Sequence, residues 1–139
     1  MAKQTSLFLP AGIANAAATL INYNSGSWVT VYTASANDAV VKSLAACSVG
    51  APAATLMVAI DIGGGHYPIG AVTVPTGAGT DGVTNAIDCL NAAAFPHLPT
   101  DRNGKRCLPL KAGNILKVAY LCSLANGQAV TVVATAEEY

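Results

Sequence analysis

Charged residues are scarce in this chain. Asp, Glu, Lys and Arg make up only 10% of its 139 residues, whereas a typical soluble domain has about 25%. The seven basic and seven acidic residues also cancel, so no net charge keeps copies of the chain apart. We therefore expect other protein chains to cover much of its surface. The alternative is a monomer whose surface is unusually rich in alanine and threonine.

The same scarcity disfavours two functional classes. Binding to nucleic acid is not expected, because the balanced charge provides no basic stripe for phosphates. A membrane span is not expected either, since no apolar run approaches about 20 residues. The basic residues concentrate in one polar segment, which we interpret as a solvated turn; they are Arg102, Lys105, Arg106 and Lys111.

Residues that could bind a metal are few and far apart. His66 and His97 are the only histidines, and neither has a cysteine at the short spacing of structural zinc sites. No metal or other cofactor is expected. The four cysteines, at positions 47, 89, 107 and 122, could form two disulfides in a secreted protein. Three of them lie in apolar, strand-like segments, so we expect reduced, buried thiols and folding in the cytoplasm.

The N-terminal segment is apolar but interrupted. Leu7, Phe8 and Leu9 are followed by Pro10 and Gly12. A secretory signal would need an unbroken apolar region and more basic residues before it. We therefore interpret residues 1–17 as an extended arm that packs on a neighbouring chain, with export as the alternative.

Residues 18–139 have the pattern of one all-β domain. Short segments rich in β-branched residues recur about every 8 to 15 residues, with turn residues between them. This pattern predicts an antiparallel, jelly-roll-like β-sandwich of about eight short strands with little helix. The first strand is expected at residues 17–23. In the next, strict alternation would place Trp28, Thr30 and Tyr32 on one face. Residues 84–91 fit either a short helix or a further strand.

Two hairpins are predicted. Residues 115–124 and 129–136 are long enough for strands, and the Asn126-Gly127 pair between them is a hairpin signal. The chain is therefore expected to end on two paired strands. The glycines at 63–65, after an apolar strand at 54–62, indicate a second hairpin turn.

No segment carries a catalytic signature. The glycines after Asp61 resemble the phosphate-binding turn of sugar kinases and actin-like ATPases, but this chain is far shorter than that fold. The glycine-rich segment 77–82 lacks the Gly-Lys-Ser/Thr ending of a P-loop. Four aspartates could supply a carboxylate pair for glycoside hydrolysis, although turn capping explains each of them; they are Asp61, Asp81, Asp88 and Asp101. Four aromatic residues could form a sugar-stacking platform, but core or interface packing is favoured; they are Trp28, Tyr32, Tyr67 and Tyr120.

Several segments together resemble a known class of protein. They are Tyr32-Thr33-Ala34-x-Ala36-Asn37, the strand at 56–61, Val74-Pro75-Thr76-Gly77-Ala78-Gly79-Thr80, Leu98-Pro99-Thr100-Asp101-x-x-Gly104, Leu108-Pro109-Leu110-x-Ala112-Gly113 and the terminal Glu138-Tyr139. In order and spacing, this set resembles small virion structural proteins of tailed bacteriophages, in particular capsid decoration, or cement, proteins. The resemblance covers residues 28–139 and leaves out the N-terminal arm.

The resemblance implies a non-enzymatic structural protein. Such a protein would bind the major capsid protein and itself, as a dimer or trimer, on the outer surface of the virion, after synthesis in the host cytoplasm. A tail or fibre component is the alternative within the virion, and a monomeric carbohydrate-binding sandwich is the alternative from another class. The candidate assembly contacts are apolar and aromatic: Leu7, Phe8, Leu9, Trp28, Tyr67 and Tyr139.

Overall fold

The structure, a computed structural model, describes residues 12–21 and 27–139. These residues form nine β-strands and no helix, which confirms the predicted all-β class. The strands are β1 (Gly12–Leu20), β2 (Val29–Thr33), β3 (Ala39–Val49), β4 (Ala54–Ile62), β5 (Gly65–Val74), β6 (Ile87–Asp88), β7 (Leu108–Leu110), β8 (Ile115–Tyr120) and β9 (Ala129–Glu138).

The described strands form two antiparallel sheets that pack face to face around one core. Sheet A has the order β1-β9-β3, with β6 and β7 both pairing along the far side of β3. Sheet B has the order β2-β8-β4-β5. The pairing is nested along the chain, since β1 pairs with β9, β2 with β8, β3 with β7 and β4 with β5. The predicted β-sandwich is therefore confirmed.

Alternation along the strands builds the core. In β9, for example, Val130, Val132, Ala134 and Ala136 are buried, and the residues between them face away from the core. Tyr120 is the largest fully buried residue, and its hydroxyl donates a hydrogen bond to the Pro52 carbonyl. One cluster of buried side chains draws on both sheets, as expected for a sandwich.

The predicted C-terminal hairpin is wrong. Both strands exist, but β8 lies in sheet B and β9 lies in sheet A, so they do not pair with each other. The predicted turn does form, because the Gln128 N–H donates to the Ala125 carbonyl at 3.1 Å and Gly127 has a φ of 83°. It lies in a segment that crosses between the sheets, where Leu124 is buried in the core.

The N-terminal boundary also differs from the prediction. The first strand begins at Gly12 rather than at residue 17, and it pairs with β9 along its whole length. Residues 12–17 therefore belong to sheet A rather than to an arm. Along β1, side chains alternate between the two faces of the sheet, and Ala18 and Leu20 point into the core. Because most residues of this strand are small, the alternation is not visible in the sequence. The remainder of the predicted arm, residues 1–11, lies outside the described residues.

The structure decides two local predictions, the alternation in β2 and the conformation of residues 84–91. A shift between Thr30 and Tyr32 breaks the alternation of β2, so Val31 and Tyr32 are both buried. Residues 84–91 contain the short strand β6 rather than a helix.

The predicted turn between β4 and β5 is confirmed. Ile62 pairs with Gly65, and the two residues between them, Gly63 and Gly64, have φ values of 61° and 90°. Positive φ at both positions is what a type I′ turn requires. We call this end of the sandwich the hairpin end; the start of β1, the start of β3 and the end of β9 lie there too.

Candidate functional site

The structure describes three of the six predicted assembly contacts, namely Trp28, Tyr67 and Tyr139. Leu7, Phe8 and Leu9 lie outside the described residues. Tyr67 and Tyr139 lie at the hairpin end, with 56% and 40% of their surface exposed. Trp28 is half-buried and precedes β2 on the outer face of sheet B.

The outer face of sheet B carries a compact cluster of polar and aromatic groups. Lys117 Nζ lies 3.1 Å from Asp61 Oδ2 and 3.4 Å from His66 Nε2. The Trp28 ring packs against the His66 ring, with 5.8 Å between centroids and 42° between planes. Ala59, the β-sheet partner of Lys117, points to the same face and is fully buried. The cluster therefore forms a layer over small residues of the sheet. We call these four residues, Trp28, Asp61, His66 and Lys117, the Trp28 cluster.

Asp61 ties this cluster to the β4–β5 turn. Its Oδ1 accepts a hydrogen bond from the Gly64 N–H at 2.9 Å, while Oδ2 faces the Lys117 ammonium. Lys117 is the main cause of the lowered pKa of Asp61, and the Gly64 N–H contributes to it. Asp61 is thus held ionised and acts as a turn cap, as predicted. The lysine and the carboxylate therefore bind each other across the sheet.

The outer face of sheet A has a different character, because its central side chains carry no charge. These side chains are small and project from three neighbouring strands, in adjacent rows. Val133 lies at their centre, and 44% of its surface is exposed. They are Asn15, Ala17 and Thr19 from β1, Thr131, Val133 and Thr135 from β9, and Ser43, Ala45 and Cys47 from β3. We call these nine residues the uncharged face.

Charges lie at the margin of the uncharged face. Lys42 Nζ is 3.3 Å from Asp101 Oδ2 and 3.8 Å from Glu137 Oε1. The predicted basic turn adjoins them, and Arg106 donates to the Leu98 carbonyl at 2.7 Å. Asp101 caps this turn by accepting from the backbone N–H groups of Asn103 and Lys105. Among the described residues, these charges pair with one another or with backbone at one end of sheet A.

A shallow cleft of about 230 Å³ opens beside β6. Its charged lining groups are Asp88 and Lys105, and the floor comes from β3; the lining residues are Ser43, Leu44, Ala45, Ala86, Ile87, Asp88 and Lys105. Asp88 accepts a hydrogen bond from the Leu90 N–H at 3.1 Å, so it caps a turn.

Several residues of the alternative sites considered from the sequence have structural roles. Two of the four aromatic residues proposed for a sugar-stacking platform, Tyr32 and Tyr120, are buried in the core. Asp81 caps its own loop by accepting hydrogen bonds from the Val83 and Thr84 N–H groups. Over residues 12–21 and 27–139, no group of three or more His, Cys, Asp or Glu side chains could hold a metal ion. No helix of the described chain is long and apolar enough to cross a membrane.

All four cysteines are free thiols, in line with the expectation from the sequence. Cys89 and Cys107 are buried, and Cys47 and Cys122 are half-buried. Burial raises the pKa of the Cys89 thiol to about 12, which keeps it protonated and unreactive at neutral pH.

No protein family matches this chain, and no characterised protein matches it. The surfaces described above are therefore the basis for a proposed function.

Sequence reasoning did not identify the Trp28 cluster or the uncharged face. A signal for the first was present, because Asp61 and Lys117 each interrupt an otherwise apolar strand. Charged residues at such positions usually have partners. The uncharged face could not be assembled from the sequence, since it depends on β1 and β3 flanking β9.

Proposed function

We propose that this chain is a non-enzymatic structural protein of a tailed-phage virion, a decoration protein that binds the major capsid protein on the outside of the head. The observation that carries the proposal is the uncharged face. A sheet face of small, neutral side chains is suited to contact with another protein, because only the charges beside it, such as Asp88 and Lys105 next to β3, would have to be stripped of water.

The Trp28 cluster supplies a second feature of an assembly protein. Tryptophan is enriched among the few residues that dominate binding energy at interfaces. The half-buried Trp28 ring is held against His66, so little conformational freedom would be lost on binding. The nested pairing of the strands supports the jelly-roll winding that the resemblance implies, and this winding is part of the proposal.

The mechanism requires no chemical step. Each copy would cover part of a junction between capsid subunits, and burial of neutral surface would add binding free energy that opposes expansion of the shell. Because a subunit array holds many copies near one another, weak contacts act together at high effective concentration. Attachment to the tail or a fibre would use the same surfaces on a different partner.

The test is to locate the chain in purified particles and then to charge its uncharged face. Cryo-electron microscopy of particles from a culture that carries the gene should show the sandwich on the outer head surface. Val133→Lys, at the centre of the uncharged face, should weaken attachment by about tenfold or more, since an unpaired buried charge costs more than about 1.4 kcal/mol.

The matched control is Thr73→Lys, which adds the same charge at an exposed position of β5 in sheet B. It should attach like the unchanged chain. Density for the sandwich on the tail would favour the tail alternative. A chain absent from particles that binds a glycan array as a monomer would favour the carbohydrate-binding alternative. Equal attachment of both lysine variants would contradict the role of the uncharged face.

A further inference from the structure

Among the described strands, β1 forms one edge of sheet A. Nine consecutive residues, Gly12–Leu20, pair with β9 in one unbroken register. Within the described residues, no strand pairs with the other side of β1. Such an edge presents unpaired backbone N–H and C=O groups along its length.

The other sheet edges of this molecule are protected in ways that β1 is not. At one edge of sheet B, β2 has five residues and a register shift between Thr30 and Tyr32. At the other, β5 contains Pro68, beside a register shift in its pairing with β4. At the far edge of sheet A, β6 and β7 have two and three residues. Short strands, shifts and prolines are the devices that keep sheet edges from pairing with other chains.

In contrast, β1 has none of these devices. Its nine residues include no proline and no charged residue, and its register has no shift. It is thus the long, regular, neutral edge on which another strand can add.

We propose that β1 pairs antiparallel with β1 of a second copy, around a two-fold axis at Ala16. The occupant is a second copy because β1 carries no charged residue, so that two copies of it bring no like charges together. Centring the pair on Ala16 uses all nine residues of each strand. It also places the 74% exposed Ile13 opposite the partner's Thr19, where a neighbouring side chain can cover it.

This pairing extends the uncharged face across two copies. Because strands of one sheet continue side by side, the outward residues of β1 in each copy become neighbours on one continuous surface. Self-association through the edge of β1 is independent of attachment to a shell, since attachment uses the face of the sheet.

The experiment is a cysteine cross-link in the full chain. Opposed residues on paired strands have Cα atoms about 4.5–5.5 Å apart, which suits a disulfide. Ala16→Cys should therefore give a covalent dimer under mild oxidation. Ala14→Cys should not, because the two copies of residue 14 would lie about 13 Å apart at roughly 3.3 Å per residue. The unchanged chain, with its four thiols, sets the background.

Sedimentation equilibrium supplies the second readout. The unchanged chain should be a dimer, and Ala17→Lys on β1 should raise its dissociation constant by about tenfold or more, because the two lysines would lie near each other across the new pair. Val133→Lys, one strand away from the edge, should stay dimeric even if it no longer attaches to capsids. A monomer at high micromolar concentration, no cross-link above background at residue 16, or a dimer broken equally by Val133→Lys would each overturn the proposal. None of these results decides whether the chain attaches to a shell.

Discussion

At the scale of single residues, the core is closed by one aromatic ring that packs on a glycine. Phe95 is fully buried, and a Cβ at Gly70 would lie 2.5 Å from its Cε1 atom. Gly70 has no positive φ, so the requirement for glycine there is one of space. The irregular segment before β7 therefore contributes a core residue that edge strand β5 is shaped to receive.

Substitutions at this contact should be strongly coupled. We expect Gly70→Ala to lower the free energy of unfolding by about 1–3 kcal/mol through overpacking, and Phe95→Ala to lower it by about 3–5 kcal/mol through a cavity. In the double variant, where the Phe95 ring is absent, the added Gly70→Ala change should lower the free energy of unfolding far less than it does alone. Urea unfolding of the two single variants and of the double variant measures these free energies. Phe95→Leu replaces Phe95→Ala if the latter does not fold. Additive costs would contradict the proposed contact.

The cysteines should differ in reactivity. At neutral pH we expect the half-buried Cys47 and Cys122 to react with a thiol reagent first, and Cys89 to react last, because burial raises its pKa to about 12. Mass spectrometry of partly labelled native protein gives the order. After denaturation without reductant, all four thiols should react. A lower total would indicate disulfides and would favour export.

The loop around Asp81 should make stability sensitive to acid. Hydrogen bonds from the Thr84 and Val83 N–H groups, and from the Thr84 hydroxyl, hold the pKa of Asp81 below its usual value of 3.8. Because the pKa of Asp81 is lower in the folded state than in the unfolded chain, the ionised carboxylate stabilises the fold at pH values above the unfolded pKa. The contribution is lost as pH falls from about 3.8 through the lower folded pKa.

Urea unfolding between pH 6 and pH 2 can separate this contribution. Asp81→Asn should be less stable than the unchanged chain at pH 6, and the difference should shrink below about pH 3.8. Thr84→Val keeps the carboxylate and removes one of its donors, so it should show a smaller version of the same effect. A difference that stays constant across this range would contradict the role of the carboxylate.

At the scale of elements, the sequence predicted where strands lie better than what they pair with. The predicted strand at 54–62 matches β4 in full, because an apolar run followed by glycines is a local signal. The C-terminal hairpin failed because a turn signal at Gly127 fits any reversal of the chain. After this turn, β9 could pair with β8 or cross to the other sheet. The outcome depends on where Leu124 is buried, and distant strands determine that position.

The first strand shows the same limit from another side. Alanine has a low β-propensity, so residues 12–17 gave little sign of a strand. Their place in sheet A comes from pairing with β9 and from the inward positions of Ala18 and Leu20. The Trp28 cluster likewise needs four strands, β2, β4, β5 and β8, in register, which no local pattern provides.

Two deletions distinguish the observed start of the domain from the predicted one. Removal of residues 1–11 should leave the thermal unfolding midpoint nearly unchanged, because β1 stays complete. Removal of residues 1–17 should lower it clearly, because six of the nine residues of β1 are lost. Circular dichroism during heating measures both. Equal midpoints would show that β1 adds little to the fold, and a collapse on removal of residues 1–11 would mean that the segment is itself part of the domain.

At the scale of the whole molecule, the nested pairing separates local from distant contacts. The strands of the β4–β5 hairpin are neighbours in sequence, whereas β1 and β9 come from opposite ends of the chain. Closing a long loop costs more entropy than closing a short one, so pairing should proceed from the hairpin outward. Domains dominated by distant strand pairing fold in about milliseconds to seconds, and this chain should fall in that range.

The order of pairing can be tested with two matched leucines. Leu56 in β4 and Leu20 in β1 are both fully buried, so each change to alanine should cost about 2–5 kcal/mol. Leu56→Ala should mainly slow refolding, because its contacts form in the transition state, and Leu20→Ala should mainly speed unfolding. Stopped-flow fluorescence can follow both, since Trp28 is the single tryptophan and packs on the β5 residue His66. If Leu20→Ala slowed refolding and Leu56→Ala did not, the two ends of the chain would pair first, and the sandwich would assemble from its terminal strands inward.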